Sequence, residues 1–258
     1  MIRLLKADLI RLGKGFPFRL VLVAMLGLSV AFMMMQATAM DYTVPLSRVI
    51  FLPMSMYGVA MAAFVSVFVG TDFSDGFIRN KLLTAEHRYS LVVAQITVSC
   101  LGCLIVYTVV TVFTAVIGRF FFENNVDLVK LLRFYGIGSG MCLATGCLFA
   151  VITLLCGNKT QAIVWCMALA FGMLFLAMRT NGLLAQPEYK DGAMNPKYVG
   201  GLRRFVYGIL HDLNPCGQAA QLSTWEVGHP IRVLICDLAV IAVTSAMGCA
   251  LFEKKDIE

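Results

Sequence analysis

Few residues in this sequence could do chemistry, and each makes demands on its surroundings. Cys100 and Cys103 form a C-x-x-C, the spacing of thiol redox centres. A thiol pair that handles protein disulfides must reach a surface, whereas these two lie well inside a long apolar run. Gly157-Asn158-Lys159-Thr160 ends like a phosphate loop. Such a loop needs glycines before the lysine and at its start to expose a ring of amides, and Asn158 and Thr153 stand there instead. His87, His211 and His229 are scattered over loops with no HExxH, so no metal site is predicted. The sequon Asn158-Lys159-Thr160 falls in a turn too close to the apolar runs to be read as more than chance.

One pair of charges interrupts an apolar run: Asp237, with Arg232 about a turn and a half earlier. A secondary transporter needs several ionisable relays within its spans. A single pair in the outer third of one span fits either a structural pair near the interface or a functional one. Without relays or a nucleotide site, any energy for transport has to come from another chain.

The elements that must position these residues are apolar helices. Of 258 residues, 59% are hydrophobic and 14% charged, and the mean hydropathy is +0.81, against an apolar share of roughly 45–50% in soluble domains. The chain therefore reads as an all-α integral membrane protein. Eight of its nine cysteines fall in or at the ends of apolar runs, where they act as small hydrophobes, and Cys216 is alone in the one long loop. The net charge of +6 comes without an aromatic-interleaved basic patch, so nucleic acid is excluded as a partner.

Six spans are predicted at about 17–36, 49–69, 91–118, 134–156, 160–178 and 231–252. Ahead of them, residues 1–16 place Ile2, Leu5, Leu9, Leu12 and Phe16 on one helical face and Arg3, Lys6, Arg11 and Lys14 mostly on the other, the pattern of an interfacial amphipathic helix. Small residues recur at four-residue spacing in three spans: Gly58, Ala62, Ser66 and Gly70; Gly136, Gly140 and Ala144; Ala242, Ala246 and Ala250. Such rows let helices approach closely. The extracytoplasmic segment 179–230 is too long for a bare connection, and Leu202, Phe205, Val206, Ile209 and Leu213 predict a helix over Gly201 to Leu213, lying on the membrane or simply packed on the bundle. Lys and Arg near the span ends divide almost evenly between the two sides. The cationic N-terminal cluster therefore decides the orientation, with both termini inside.

The inner loop 71–90 differs from an ordinary connection. Asp72, Ser74 and Asp75 supply capping groups ahead of a short helix over Phe77 to Thr84, and Arg79 and Lys81 lie further along it. Phe77, Ile78, Leu82 and Leu83 give that helix apolar anchors for a partner or a membrane surface.

The run FSDGFIRNKL, with Arg88 beyond it, resembles the first cytoplasmic loop of type 2 ATP-binding-cassette (ABC-2) permeases. NPCGQAAQLS at Asn214 to Ser223 and FEKKDIE at the end of the sequence agree with that resemblance. It implies the ABC-2 exporter permease fold in a bacterial cytoplasmic membrane, and a dimer with a second permease, identical or a sibling. Two separate ABC ATPase subunits would carry ATP and Mg, with no cofactor or enzymatic site on this chain. Asp75, Gly76, Phe77, Ile78, Arg79, Asn80, Lys81 and Leu82 would then form the ATPase-docking coupling helix, with Phe77 departing from the small or β-branched residue expected after the glycine. Asn214, Pro215, Gly217 and Gln218 would lie near the outer mouth. Spans two and five would line the path with Met54, Met56, Tyr57, Met61, Met167, Met173 and Met178, residues equally readable as core or lipid-facing. The small bacterial permeases of peptide-antibiotic resistance are the nearest in layout, which implies export of an antimicrobial peptide, drug or lipid-like molecule. The alternative is a membrane sensor or scaffold whose loop 71–90 recruits a cytoplasmic partner.

Overall fold

The computed structural model describes residues 2–39, 44–78, 88–190 and 193–254. In chain order they form α1 (Ile2–Lys14), α2 (Phe16–Ala39), 3-10 turns at Leu46–Arg48 and Leu52–Met56, α3 (Tyr57–Ser74), α4 (Arg88–Gly118), α5 (Leu128–Cys156) and α6 (Lys159–Leu184). A two-residue ribbon follows, β1 (Tyr189–Lys190) antiparallel to β2 (Ala193–Met194), then α7 (Gly201–Leu213), α8 (Pro215–Ser223) and α9 (Pro230–Glu253). Six of these helices, α2 to α6 and α9, are long and apolar enough to cross a membrane. The fold is that of an all-α multi-pass membrane protein.

Local chemistry sets the helix ends. Asp127 accepts from the Val129 amide at 2.9 Å, so α5 starts at Leu128, a turn and a half ahead of the predicted Phe134. Gly157, at φ 69°, ends α5 in the left-handed region, and Asn158 at once caps α6 by accepting from the Thr160 amide at 2.9 Å. The GNKT run is thus a stop signal followed by a start signal, and the sequon asparagine is spent as a cap. α6 runs on to Leu184, so Arg179 belongs to the helix and not to the loop expected from 179 onward. The long segment carries two helices: α7 matches the predicted range, and α8, which periodicity had not suggested, follows directly behind Pro215.

The helices alternate in direction, as their close approaches show. Gly70 at the end of α3 lies against Lys159 at the start of α6, while Gly58 at the other end of α3 meets Cys216 of α8. α3, with the turns that lead into it, and α5 form the centre and are mostly buried, whereas α6 and α9 turn most of their surface outward. The opposite end from α1 is closed by aromatic rings. Phe51 stacks on Trp225 at 5.8 Å and Tyr107 on Tyr135 at 5.3 Å, and Phe134 meets Trp225 edge-on at 5.1 Å.

The predicted small-residue rows fare differently. In α3 all four members face other helices: Ala62 and Ser66 are fully buried, and Gly58 and Gly70 have neighbours that a side chain would strike. In α5 only part of the row holds, since Gly136 faces open space whereas Gly140 is pressed against Asp237. In α9 the row meets no other helix of this chain. Ala242, Ala246 and Ala250 are exposed, and the packed face is Val233, Asp237, Gly248 and Phe252. The reason is that α5 selects the α9 face able to bond it: Thr244 and Ser245 lie 3.0 and 3.2 Å from the Cys147 sulfur.

Candidate functional site

At the α1 end, a buried polar cluster joins three helices. Asp72, in the last turn of α3, is wholly buried and forms an ion pair with Arg11 of α1. Arg11 also donates to the Phe68 carbonyl, and its guanidinium lies 4.4 Å from the centre of the Phe68 ring. Gln95 of α4 donates from Nε2 to Asp72 at 2.7 Å and to Asp8 of α1 at 3.4 Å. Burial of these charges is tolerable only because each meets an opposite charge or a donor.

This arrangement refines one expectation and corrects another. The predicted apolar face is divided: Leu12, with Asp8, is buried against the bundle, while Leu9, and Phe16 at the start of α2, are exposed. Asp72 and Ser74 do not begin the next helix either, because α3 continues through both. The signal that would have exposed the first point is Asp8, which sits at helical spacing between Leu5 and Leu12 on the inward side.

Immediately beyond the cluster the chain turns. Asp75 caps α3, its amide donating to the Thr71 carbonyl at 2.9 Å, and Gly76 takes φ 69°. Phe77 and Ile78 are again helical; Ile78 is 2% exposed and joins the core, whereas Phe77 is 49% exposed. Of the predicted docking residues, Asp75, Gly76, Phe77 and Ile78 are thus described, and Arg79, Asn80, Lys81 and Leu82, together with His87, lie outside the described residues.

At the far end, a second polar knot ties α6 to the helices that follow it. Asn214 caps α8 through the Cys216 amide at 3.0 Å and donates to the Met173 carbonyl of α6 at 2.7 Å. Pro215 occupies the first turn of α8, where its missing N–H costs nothing. Gln218 donates to the Asp212 carbonyl at 2.7 Å and to the Asp237 carboxylate at 2.8 Å. Gly217 runs so close to the His211 carbonyl that a side chain there would begin 2.2 Å from it. The expected partnership of Asp237 with Arg232 is not formed. Arg232 pairs with Asp212 of α7 instead, because five residues along a helix put two side chains about 140° apart. His211 is bonded to Thr180 of α6 at 2.8 Å, and burial lowers its basicity despite the pull of neighbouring Asp212.

The predicted path residues separate into two groups. Met54, Tyr57 and Met61 are in the core, where Tyr57 donates to the Cys103 carbonyl at 2.7 Å. Packing against neighbouring helices withdraws these three from any surface of the chain. Met56 and Met178 are exposed, and Met167 and Met173 are partly buried on α6. Cys100 and Cys103 are not joined by a disulfide, and the Cys100 thiol donates to the Leu143 carbonyl at 3.3 Å. Among the described residues no cluster of His, Cys, Asp or Glu has the makings of a metal site. No protein-family model matches the chain, and no curated protein matches it.

Proposed function

We propose that this chain is the membrane-spanning permease subunit of an ATP-driven ABC-2 exporter. Two such permeases, identical or siblings, would pair with two separate ATPase subunits, and both termini would be cytoplasmic. Phe77 carries the reading. A large apolar side chain stands exposed one residue after a left-handed glycine, at the end of a central span. The end of that span is held to α1 and α4 by the Arg11, Asp72 and Gln95 cluster. An anchor that projects from a rigid mount can both seat a partner and pass its movement into the span. The cargo is an amphipathic molecule (antimicrobial peptide, drug or lipid-like), and Met56 and Met178, which are exposed, with Met167 and Met173, which are partly buried, are the path residues left outside the core.

The test is co-purification of the chain with co-expressed ABC ATPase subunits of its own genome that lack membrane spans. Phe77→Asp combined with Leu82→Asp should leave the protein in the membrane and reduce ATPase recovery at least tenfold, with loss of ATPase stimulation by the permease. Unchanged recovery would overturn the docking role. Partner binding without any stimulation of hydrolysis would instead favour a sensor or scaffold.

A further inference from the structure

Between the end of α6, the polar face of α7, α8 and the start of α9 lies a cavity of about 790 Å³ that the export reading does not use. Its walls include Arg204, Phe205, His211, Asp212, Glu226 and Arg232. Three features of its charge pattern bear on what it could hold. First, the inward carboxylate is already spent: Asp212 receives Gln221 on one oxygen at 2.8 Å and Arg232 on the other. Second, guanidinium donors remain. Arg204 is anchored through Nη2 to the Leu184 carbonyl at 2.9 Å and rests over the Tyr198 ring at 5.1 Å, yet its buried Nη1 has no acceptor among the described residues. Arg232 commits only its Nε to Asp212, and its Nη2 lies against Gly208, where any side chain would begin 3.3 Å from it. Third, α7 opens onto the cavity with Gly201 in its first turn and has no side chain capping its N-terminus, so helix amides add to the positive field.

We propose that this cavity binds the phosphate group of an amphiphile, with Arg204 supplying the principal donor and Arg232 a second. A planar guanidinium matches phosphate oxygens with paired N–H groups, and an oxyanion would provide the acceptor that Nη1 lacks once the Arg204 side chain turns that buried nitrogen into the cavity. The ligand's chains would lie along Leu202 and Phe205, which are 78% and 58% exposed on the apolar side of α7, Phe205 also forming part of the cavity wall. Arginine pairs bind phosphate in soluble ligands as well as in lipids, and the open apolar face of α7 is what favours the lipid. Glu226, exposed at the rim, would tolerate a cationic group attached to that phosphate better than a second anion. None of this depends on an ATPase partner.

Trp225 adjoins two lining residues, Thr224 and Glu226, and gives a fluorescence readout. The full chain, purified in a neutral detergent, is titrated with dihexanoyl phosphatidylcholine, dihexanoyl phosphatidylglycerol and inorganic phosphate. Saturable quenching by a phospholipid is expected, weakened at least tenfold by Arg204→Gln and unchanged by Arg203→Gln on the neighbouring exposed position. Inorganic phosphate binding as tightly as the lipids would overturn the role of the apolar chains and leave a free-anion site. No saturable response, or equal binding by wild type and Arg204→Gln, would overturn the site itself. Thermal unfolding of each variant separates lost binding from lost fold.

Discussion

The carboxylate of Asp237 lies where a side chain on Gly140 would begin: a Cβ built there would be 2.5 Å from Oδ2. Asp237 is 2% exposed, about ten ångströms along α9 from Pro230 at 1.5 Å per residue. Gln218 of α8 holds its other oxygen, so α5, α8 and α9 meet at one carboxylate.

Gly140→Ala should therefore destabilise the protein by about 1–3 kcal/mol, the usual cost of forcing a methyl group into a packed interior. Gly136→Ala, four residues away on a face with nothing within 4 Å, should be close to neutral. Thermal unfolding of the two variants in detergent checks the contrast, and equal losses would show that Asp237 has room to move.

The Arg11 and Asp72 pair offers a sharper test through a double-mutant cycle. Arg11→Met strands a buried carboxylate, and breaking such a pair from one side typically costs about 3–5 kcal/mol. Adding Asp72→Asn removes the charge that was stranded, so the double variant should recover part of the loss. If the two substitutions are additive, the ion pair contributes little, and α1 is held by Leu12 and the Asp8 to Gln95 contact instead.

How far the sequence foretold these contacts depends on what wrote them. Spans follow from apolar runs, and Gly157 with Asn158 announces a reversal by residue type alone, so the helices are legible to within a turn or two. α7 is legible because Leu202, Phe205, Val206 and Leu213 repeat along one face. α8 is not, since its nine residues, PCGQAAQLS, are mostly small or polar and carry no stripe. The two polar clusters are illegible for another reason: Asp8, Asp72 and Gln95 come from three separate helices, and no local pattern tells which polar residues of a span's end will meet. The α9 alanines show that spacing reports a possible close approach without saying which face a neighbour takes.

His211 predicts a pH dependence. Burial holds its pKa in the folded protein below the unfolded value of about 6.5. The unfolded chain therefore binds this proton more readily, so the contribution of neutral His211 is fully present above about pH 6.5. It is lost progressively as pH falls toward the folded pKa. Melting temperatures measured from pH 8 to pH 5 should fall more for the wild type than for His211→Gln. Parallel profiles would mean that the imidazole stays neutral, or stays solvated, across the range.

Topology governs whether Phe77 can meet an ATPase at all, and three positions exposed in the fold can report it. Ser74 ends α3, Lys254 follows α9, and Met194 lies in the ribbon between α6 and α7. Asn195, next to Met194, is a poor reporter because it is 7% exposed. With α1 and its cations on the inner side, six crossings put Ser74 and Lys254 inside and Met194 outside. In intact cells a membrane-impermeant thiol reagent should therefore modify Met194→Cys well above the background of the unsubstituted chain, and should leave Ser74→Cys and Lys254→Cys unmodified until the cells are broken. Labelling at position 74 in intact cells would put Phe77 on the outer side, where no ATP is available, and would end the docking proposal. Labelling at 254 but not at 74 would mean that one of the helices from α4 onward enters and leaves on the same side, and the Gly157 to Asn158 reversal between α5 and α6 is the first place to look for it.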